Sequence, residues 1–356
     1  MSKSIRRGFL PPWEKSRLCP VILSPFSWGY GGIIEIRNRL YDWKMFKIHR
    51  FPSTVISVGN LTVGGTGKTP MVIEIARGLR KRDPSLNIGV LSRGYRRPKR
   101  RGWLVSDGKH ILLTAEESGD EPQVMALQLP GVKVFVGSDR VAIARRALAR
   151  YSLDILILDD AYQHRRIHRD VDILLVDGKT GLEGGRVIPS GPLREFPWNL
   201  KRATCLVVNR YEGSLPHEIF RFCPPGIPIF KSRMRLTEIR DGKTGRPFPP
   251  SQMKNREVWA VCGIARPESF VDTLVELGVR IVGLTPFPDH HTYTREDLTP
   301  IAQQAAGRAI VTTWKDWVKW NGLSPFEHVY ILTVEPEFLD GEKFYDFIGK
   351  FVYNKK

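Results

Sequence analysis

Two short stretches of this chain carry residue types suited to phosphate and cation chemistry. The first is Gly59-Asn-Leu-Thr-Val-Gly-Gly-Thr-Gly-Lys-Thr-Pro70. Glycines let backbone N–H groups curl around an anion, a lysine reaches the outer phosphates of a nucleotide, and a Ser/Thr hydroxyl serves Mg²⁺, all at a helix N-terminus. Gly64, Gly65, Thr66, Gly67, Lys68 and Thr69 supply that set, although Thr62 stands where the usual spacing has its first glycine. The alternative is a glycine-rich connection with a chance Lys-Thr pair. The second stretch is the apolar run Leu153–Leu158, which ends in Asp159 and Asp160. The C-terminal edge of a buried strand is where a phosphate-loop protein keeps its Mg²⁺-holding acid, whereas alone such an Asp-Asp is a turn.

Further residues could move protons or hold anions. Asp120, in Gly119-Asp-Glu-Pro122, opens a helix-like stretch and reads either as a proton acceptor or as a helix cap. Asp289-His290-His291 reads as a polar loop or as part of a reaction site. His164 and His168 have a helical metal-ligand spacing, but Arg165 and Arg166 intervene and no third ligand is near. Arg93, Arg96, Arg97, Lys99, Arg100 and Arg101 form a basic cluster. Its first member follows a predicted strand and is the candidate for an anionic ligand; the others suit a solvated or lipid-facing loop. Val207-Val208 is followed by Asn209-Arg210-Tyr211-Glu212, which lacks the Lys and Asp of a guanine-reading element, so ATP rather than GTP is expected.

The elements that must position these groups alternate. Thr54–Val58 is a β-branched run, and Lys68 to about Lys81 carries Met71, Val72, Ile75, Ala76 and Leu79 at helical spacing. Apolar runs recur at Ile88–Leu91, Val132–Val136, Val171–Val176 and Thr204–Val208, with an amphipathic stretch at Arg140–Arg150. Uninterrupted apolar strands need cover on both faces. The expected fold is therefore α/β: a P-loop NTPase-like, mostly parallel sheet with helices on both faces, plus a second, smaller α/β lobe. The expected organisation is an N-terminal segment over 1–50, a phosphate-loop core over 51–210, a linker with a hairpin near Asp241–Gly245 over 211–255, and a C-terminal lobe over 256–356.

The chain has 356 residues and ordinary globular composition, with 55 Lys+Arg against 37 Asp+Glu and a net charge of +18. That excess predicts an anionic partner: nucleic acid, acidic lipid or a phosphorylated substrate. No nucleic-acid module is recognisable, so nucleic acid is not expected, and no protein partner is evident. Four scattered cysteines exclude a disulfide framework and fit a reducing compartment.

Residues 1–50 hold ten Lys/Arg against Glu14, Glu35 and Asp42, interleaved with Phe9, Trp13, Phe26, Trp28, Tyr30, Tyr41, Trp43 and Phe46. A helix is expected from Ile33 to Ile48. The uncharged run Leu18–Ile34 contains Pro20, Pro25, Gly29, Gly31 and Gly32 and is not read as a membrane span. Cations beside aromatics suit a lipid headgroup layer; an arm packed on its own domain is the alternative.

With these elements in order, the sequence resembles the tetraacyldisaccharide 4′-kinases, lipid A pathway enzymes of Gram-negative bacteria. The likeness rests on Val58–Pro70, Leu91-Ser-Arg-Gly-Tyr95, Gly119–Pro122, Asp159-Asp-Ala-Tyr-Gln-His164, Gly191-Pro-Leu-Arg-Glu195, Phe287-Pro-Asp-His290 and Thr312-Thr-Trp-Lys-Asp316. It implies transfer of the ATP γ-phosphate to the 4′-hydroxyl of a lipid disaccharide 1-phosphate at the cytoplasmic face of the inner membrane, with the N-terminal segment docking peripherally on an anionic surface. Lys68 would meet the β/γ-phosphates, Thr69 and Asp159 or Asp160 the Mg²⁺, and Asp120 would be the base. By resemblance His290 would assist Asp120, and Arg93, Gln163 and His164 would border the substrate. Ala161, Tyr162, Phe196 and Trp314 depart from the family's usual Gly, Phe, Pro and Glu. The rival reading is a P-loop ATPase or GTPase switch acting on a protein partner.

Overall fold

The computed structural model describes residues 19–95, 97 and 101–354. Lys3, Arg6, Arg7, Phe9, Trp13, Glu14, Lys15 and Arg17 of the N-terminal segment, and Arg96, Lys99 and Arg100 of the basic cluster, lie outside the described residues. The fold is α/β, as expected, and the chain divides into two compact units. These are not contiguous stretches, as a 51–210 core would be. The first comprises residues up to Val90, Ala144–Arg233 and Pro336 onward; the second comprises Leu91–Ile143 and Met234–Glu335. Local periodicity marks elements, but it does not say which distant strands will pair.

The described chain opens with helix α1 (Cys19–Asp42), β1 (Thr54–Asn60), α2 (Lys68–Arg82) and β2 (Ile88–Ser92). It continues through β3 (Leu104–Ser106), α3 (Ala115–Ser118), α4 (Asp120–Gln128), β4 (Lys133–Val136), α5 (Arg140–Arg150), β5 (Ile155–Asp159), β6 (Val171–Asp177), β7 (Cys205–Asn209) and α6 (His217–Phe222). Then come β8 (Ile229–Asp241), β9 (Glu257–Cys262), α7 (Pro267–Glu276), β10 (Arg280–Pro286), α8 (Arg295–Ala305), β11 (Ala309–Thr313), α9 (Trp314–Trp320), β12 (Val329–Phe338) and α10 (Gly341–Tyr353).

In the first unit β1 lies between β5 and β6, parallel to both, and β7 and then the start of β8 extend the same parallel order. All seven residues of β1 are buried, as a central parallel strand requires. The α2 face Met71, Val72, Ile73, Ile75, Ala76 and Leu79 covers the sheet. The C-terminal helix α10 returns to α2, where Tyr345 Oη donates to Glu74 Oε1 at 3.0 Å and Arg82 pairs with Asp346 at 2.7 Å.

Helix α1 starts well before the expected Ile33 and ends at Asp42. The described helix includes Pro20 and, inside it, Pro25. Gly31 has a packing reason: the Phe196 ring occupies the space a Cβ would need. Buried Ser27 pins the helix, accepting from Ser190 N at 2.9 Å and bonding the Ser190 hydroxyl at 2.8 Å. No described helix is long and apolar enough to cross a membrane.

The second unit orders its strands β10–β9–β11–β12, all parallel, with β3 and β4 forming an antiparallel pair. The expected linker contributes the long strand β8, whose hairpin closes through Asp241 N donating to Arg246 O at 2.9 Å. Helix α9 was not anticipated as a helix. Its buried Trp317 and Trp320 join Tyr293, Leu298 and Ile310 in one apolar cluster, and its other face meets α4.

Candidate active site

The phosphate-loop residues lie between β1 and α2, the strand–loop–helix placement an anion site needs. Gly67 adopts φ 84° at the mouth of α2, a left-handed conformation that only glycine takes without strain. Lys68 Nζ donates to Asn60 Oδ1 at 3.3 Å and to Gly64 O at 3.4 Å, so the amine folds back over the loop. Thr69 follows on the first turn of α2. The loop is braced by residues the sequence reading weighed only for base recognition. Asn209 Nδ2 donates to Thr66 O at 3.1 Å and Arg210 Nη2 to Gly65 O at 3.3 Å. Asn209 is itself held by Ser232, and Arg210 by an ion pair with Asp177 at 2.5 Å.

Asp159 and Asp160 end β5, Asp159 fully inside and Asp160 half-buried with a left-handed φ of 45°. Gly59 of β1 lies against this turn, where a Cβ would come within 2.7 Å of Tyr162. Arg194 Nη1 donates to both Asp160 oxygens and, at 3.3 Å, to Gln163 Oε1. Gln163 Nε2 donates to Asn60 O at 2.9 Å and to Glu195 Oε1 at 3.0 Å. Glu195, 1% exposed, also accepts from Arg202 at 2.8 Å and from Asn38 of α1 at 2.9 Å. One hydrogen-bonded chain thus joins α1, the Leu-Arg-Glu segment and the Asp-Asp turn. His164 is half-buried in that turn, its carbonyl accepting from Arg169. His168 pairs with Asp170 at 3.7 Å rather than facing His164 from a helix, and no metal-holding group of three or more His, Cys, Asp or Glu occurs among the described residues.

The departures from the family pattern are structural in character. Tyr162 is buried and donates to Asn199 O at 2.6 Å. Phe196 stacks on Trp198 with centroids 4.2 Å apart. Trp314 donates through Nε1 to Thr333 Oγ1 at 2.8 Å.

In the second unit Asp120 and His290 come together. His290 Nδ1 lies 2.9 Å from Asp120 Oδ2, and the carboxylate is 7% exposed. His290 holds φ 63°, a strained backbone of the kind concentrated at working residues, and its ring meets Tyr95 edge-on at 5.3 Å. Its Nε2 lies 3.4 Å from Lys315 Nζ. The same Nε2 stands 3.8 Å from Asp289 Oδ2, so each ring nitrogen faces a carboxylate. Lys315 is anchored by Asp289 at 2.8 Å and stands 3.8 Å from Glu121. Burial alone would raise the Asp120 carboxyl, but the His290 hydrogen bond and the charges of Lys315, His290 and Lys319 outweigh it and hold the group below its ordinary range. Burial pulls the Lys315 amine down, yet Glu121, Asp120 and Asp289 together hold it above its ordinary value. Arg93 is exposed just beyond β2, in this same unit.

A nucleotide-type loop with an acidic strand end and a carboxylate–imidazole pair in one chain is a kinase-like inventory, and the comparisons with known proteins agree. The family model for tetraacyldisaccharide-1-P 4′-kinase matches residues 19–353. The chain belongs to this family. Among its members, the tetraacyldisaccharide 4′-kinase of Desulfatibacillum aliphaticivorans is 38% identical over 350 residues, covering 95% of this chain and 94% of that one. The enzyme of the same name from Syntrophus aciditrophicus is 39% identical, covering 86% and 85%. A crystal structure of LpxK from Aquifex aeolicus, described as an "apo" form in complex with ATP, superposes with a TM-score of 0.78 at 36% identity, covering 94% of this chain and 99% of that one. Beyond the family's sequence markers, the structure adds Asn209 and Arg210 beside the phosphate loop of the first unit and, in the second unit, Lys319 beside Asp120. Arg194 and Lys315, which belong to the family's markers, take their meaning from their partners Asp160 and Asp289.

Proposed function

We propose that this chain is an ATP-dependent phosphotransferase that moves the γ-phosphate of ATP to the 4′-hydroxyl of a tetraacyldisaccharide 1-phosphate, a step of lipid A synthesis. Gly64, Gly65, Thr66 and Gly67 offer backbone N–H groups to the phosphates, and Lys68 the charge for the β/γ-bridge. Thr69, Asp159 and Asp160 are hard oxygen donors of the kind Mg²⁺ takes alongside substrate phosphates, and the ion would neutralise phosphate charge there. Asp160 is already engaged by Arg194, at 2.8 and 3.0 Å. The sugar hydroxyl attacks the γ-phosphorus, its proton passes to Asp120 with His290 sharing it, and ADP leaves with the bridging oxygen. Arg93, Gln163 and His164 border the substrate.

The observation that carries this reading is the buried Asp120–His290 contact of 2.9 Å. A switch ATPase needs a phosphate loop, but it has no use for a carboxylate–imidazole pair that takes a proton from an alcohol. The exposed Val21, Ile22, Phe26, Trp28, Ile33 and Ile36 of α1, beside Arg37, Arg39 and Lys44, support peripheral docking on an anionic bilayer, at the cytoplasmic face of the inner membrane where ATP is found. The test is incubation with ATP, Mg²⁺ and a detergent-dispersed lipid disaccharide monophosphate. A doubly phosphorylated lipid is expected; ATP hydrolysis without lipid product would overturn the reading.

A further inference from the structure

Helix α9 presents two lysines, one turn apart, to the Asp120–His290 pair, and they are not equivalent. Lys315 is occupied: Asp289 takes its charge at 2.8 Å and Glu121 stands at 3.8 Å. Lys319 differs. Its side chain is 14% exposed, and its Nζ is buried with no hydrogen bond to satisfy it, standing 3.9 Å from Asp120 Oδ2 and 3.5 Å from Asp316 Oδ1. Burying an ammonium is costly unless it is paired and hydrogen-bonded.

Asp316 is the fixed end of this arrangement. It is fully buried, and two hydroxyls satisfy its oxygens: Tyr293 Oη donates to Oδ1 at 2.9 Å and Thr313 Oγ1 to Oδ2 at 2.7 Å. The Tyr293 ring also lies under Lys319 Nζ, 5.2 Å from centroid to nitrogen. Asp316 and Tyr293 therefore hold the amine in place without consuming its donors. Lys319 thus stands between two buried carboxylates, Asp316 and Asp120.

We propose that Lys319 is a positioning residue of the reaction site: through its charge it keeps the buried Asp120 carboxylate ionised and turned toward His290. Its functional meaning rests on the reading of Asp120 as the proton acceptor. Other charged groups also face Asp120. His290, from the loop after β10, is the hydrogen-bond partner, Lys315 is shared with Asp289, and Glu121, on the same helix, adds a like charge. Glu117 of α3 is turned to the Thr114 backbone at 3.0 Å.

The test follows the Asp120 carboxyl itself, by NMR titration of the full-length protein carrying ¹³C-labelled aspartate, with the resonance assigned by Asp120→Asn. In Lys319→Met the midpoint is expected to rise by up to about one pH unit, the effect of losing one of several opposite charges near Asp120. Lys319→Arg, which keeps the charge, should return it toward the parent value. In parallel, kcat should fall in Lys319→Met with KM for ATP little changed, and the acidic limb of kcat/KM should move up. An Asp120 midpoint the same in all three proteins would overturn the proposal. If Lys319→Met does not fold, Lys319→Gln is titrated in its place and read the same way. Failure of the base reading would show separately, as near-normal turnover in Asp120→Asn at any Asp120 midpoint.

Discussion

Arg194 Nη1 reaches both carboxylate oxygens of Asp160, at 2.8 and 3.0 Å, while Lys68 Nζ stands 3.8 Å from the same Oδ1. One carboxylate is thus shared between the loop lysine and an arginine from the Leu-Arg-Glu segment. Two cations converge on Asp160. Arg194→Ala should lower kcat by about 10²-fold, the usual cost of losing one preorganised charge at a transferring phosphoryl group. Arg194→Lys should recover only part of this, because a point charge cannot replace a planar fork. Steady-state kinetics with ATP varied would separate kcat from KM; a change confined to KM would argue that Arg194 only binds.

Asp120 gives a prediction in pH. Its carboxyl titrates below the ordinary value of 3.8 in the folded protein. A depressed folded value contributes stability that is fully present above the unfolded value, near pH 4, and is lost as pH falls through the folded one. Replacing Asp120 by Asn removes that contribution, so the variant's melting temperature should fall less steeply than the parent's below pH 4. Turnover should drop by about 10²–10⁴-fold, the usual range for losing a general base. Thermal melts between pH 3 and 7 and one turnover assay suffice; parallel melting curves would refute the stability half.

How much of this was legible beforehand divides along physical lines. The β1–loop–α2 unit and the Asp159-Asp160 strand end were readable because their chemistry is local: glycines, a lysine and carboxylates at fixed spacing beside runs of apolar residues. Helix α1 was cut short because Pro20, Pro25 and the glycines read as breakers, yet the helix holds Pro25 inside and Gly31 makes room for Phe196. Strand β8 fell inside the expected linker because the chain turns Pro-rich after Asn209, and its exposed residues Arg233, Arg235 and Thr237 are polar rather than the apolar run of a buried strand. Lys319 carried no signal: a lysine on a short Trp-rich helix acquires meaning only once α4 is seen against α9. The composite second unit was invisible for the same reason, since no local pattern says that residues 91–143 join 234–335.

Asn209 tests whether the loop is braced by its neighbours. Its amide donates to Thr66 O at 3.1 Å, while its Oδ1 accepts from Ser232 at 3.1 Å and from Arg210 N at 3.0 Å. Asn209→Ala would strand these buried groups at a cost of about 1–3 kcal/mol. If that cost falls on the loop conformation that receives phosphates, ATP affinity should weaken by about tenfold or more, since each 1.4 kcal/mol is a factor of ten. Calorimetric titration with a non-hydrolysable ATP analogue measures this directly. Unchanged affinity with a lowered melting temperature would confine Asn209 to the sheet.

The exposed face of α1 carries the last prediction. Ile22 and Phe26 lie four residues apart, each 68% exposed, while Ser27 and Asn38 bind the opposite side to the domain. An isolated exposed isoleucine would need no explanation, but a row of apolar side chains bordered by arginines does. Burying both side chains in a bilayer's interfacial layer would gain about 1.5–3 kcal/mol each. Ile22→Ser with Phe26→Ser should therefore reduce partition onto anionic vesicles by about 10²-fold or more. Fold and nucleotide binding should be retained, because neither side chain touches the Ser190 or Glu195 anchors. Co-sedimentation with vesicles of graded anionic lipid content reads the effect, and added salt should weaken the remaining binding by screening Arg37, Arg39 and Lys44. Equal partition of the parent and the double variant would mean that this face does not enter the bilayer, and that the basic residues alone account for any attachment.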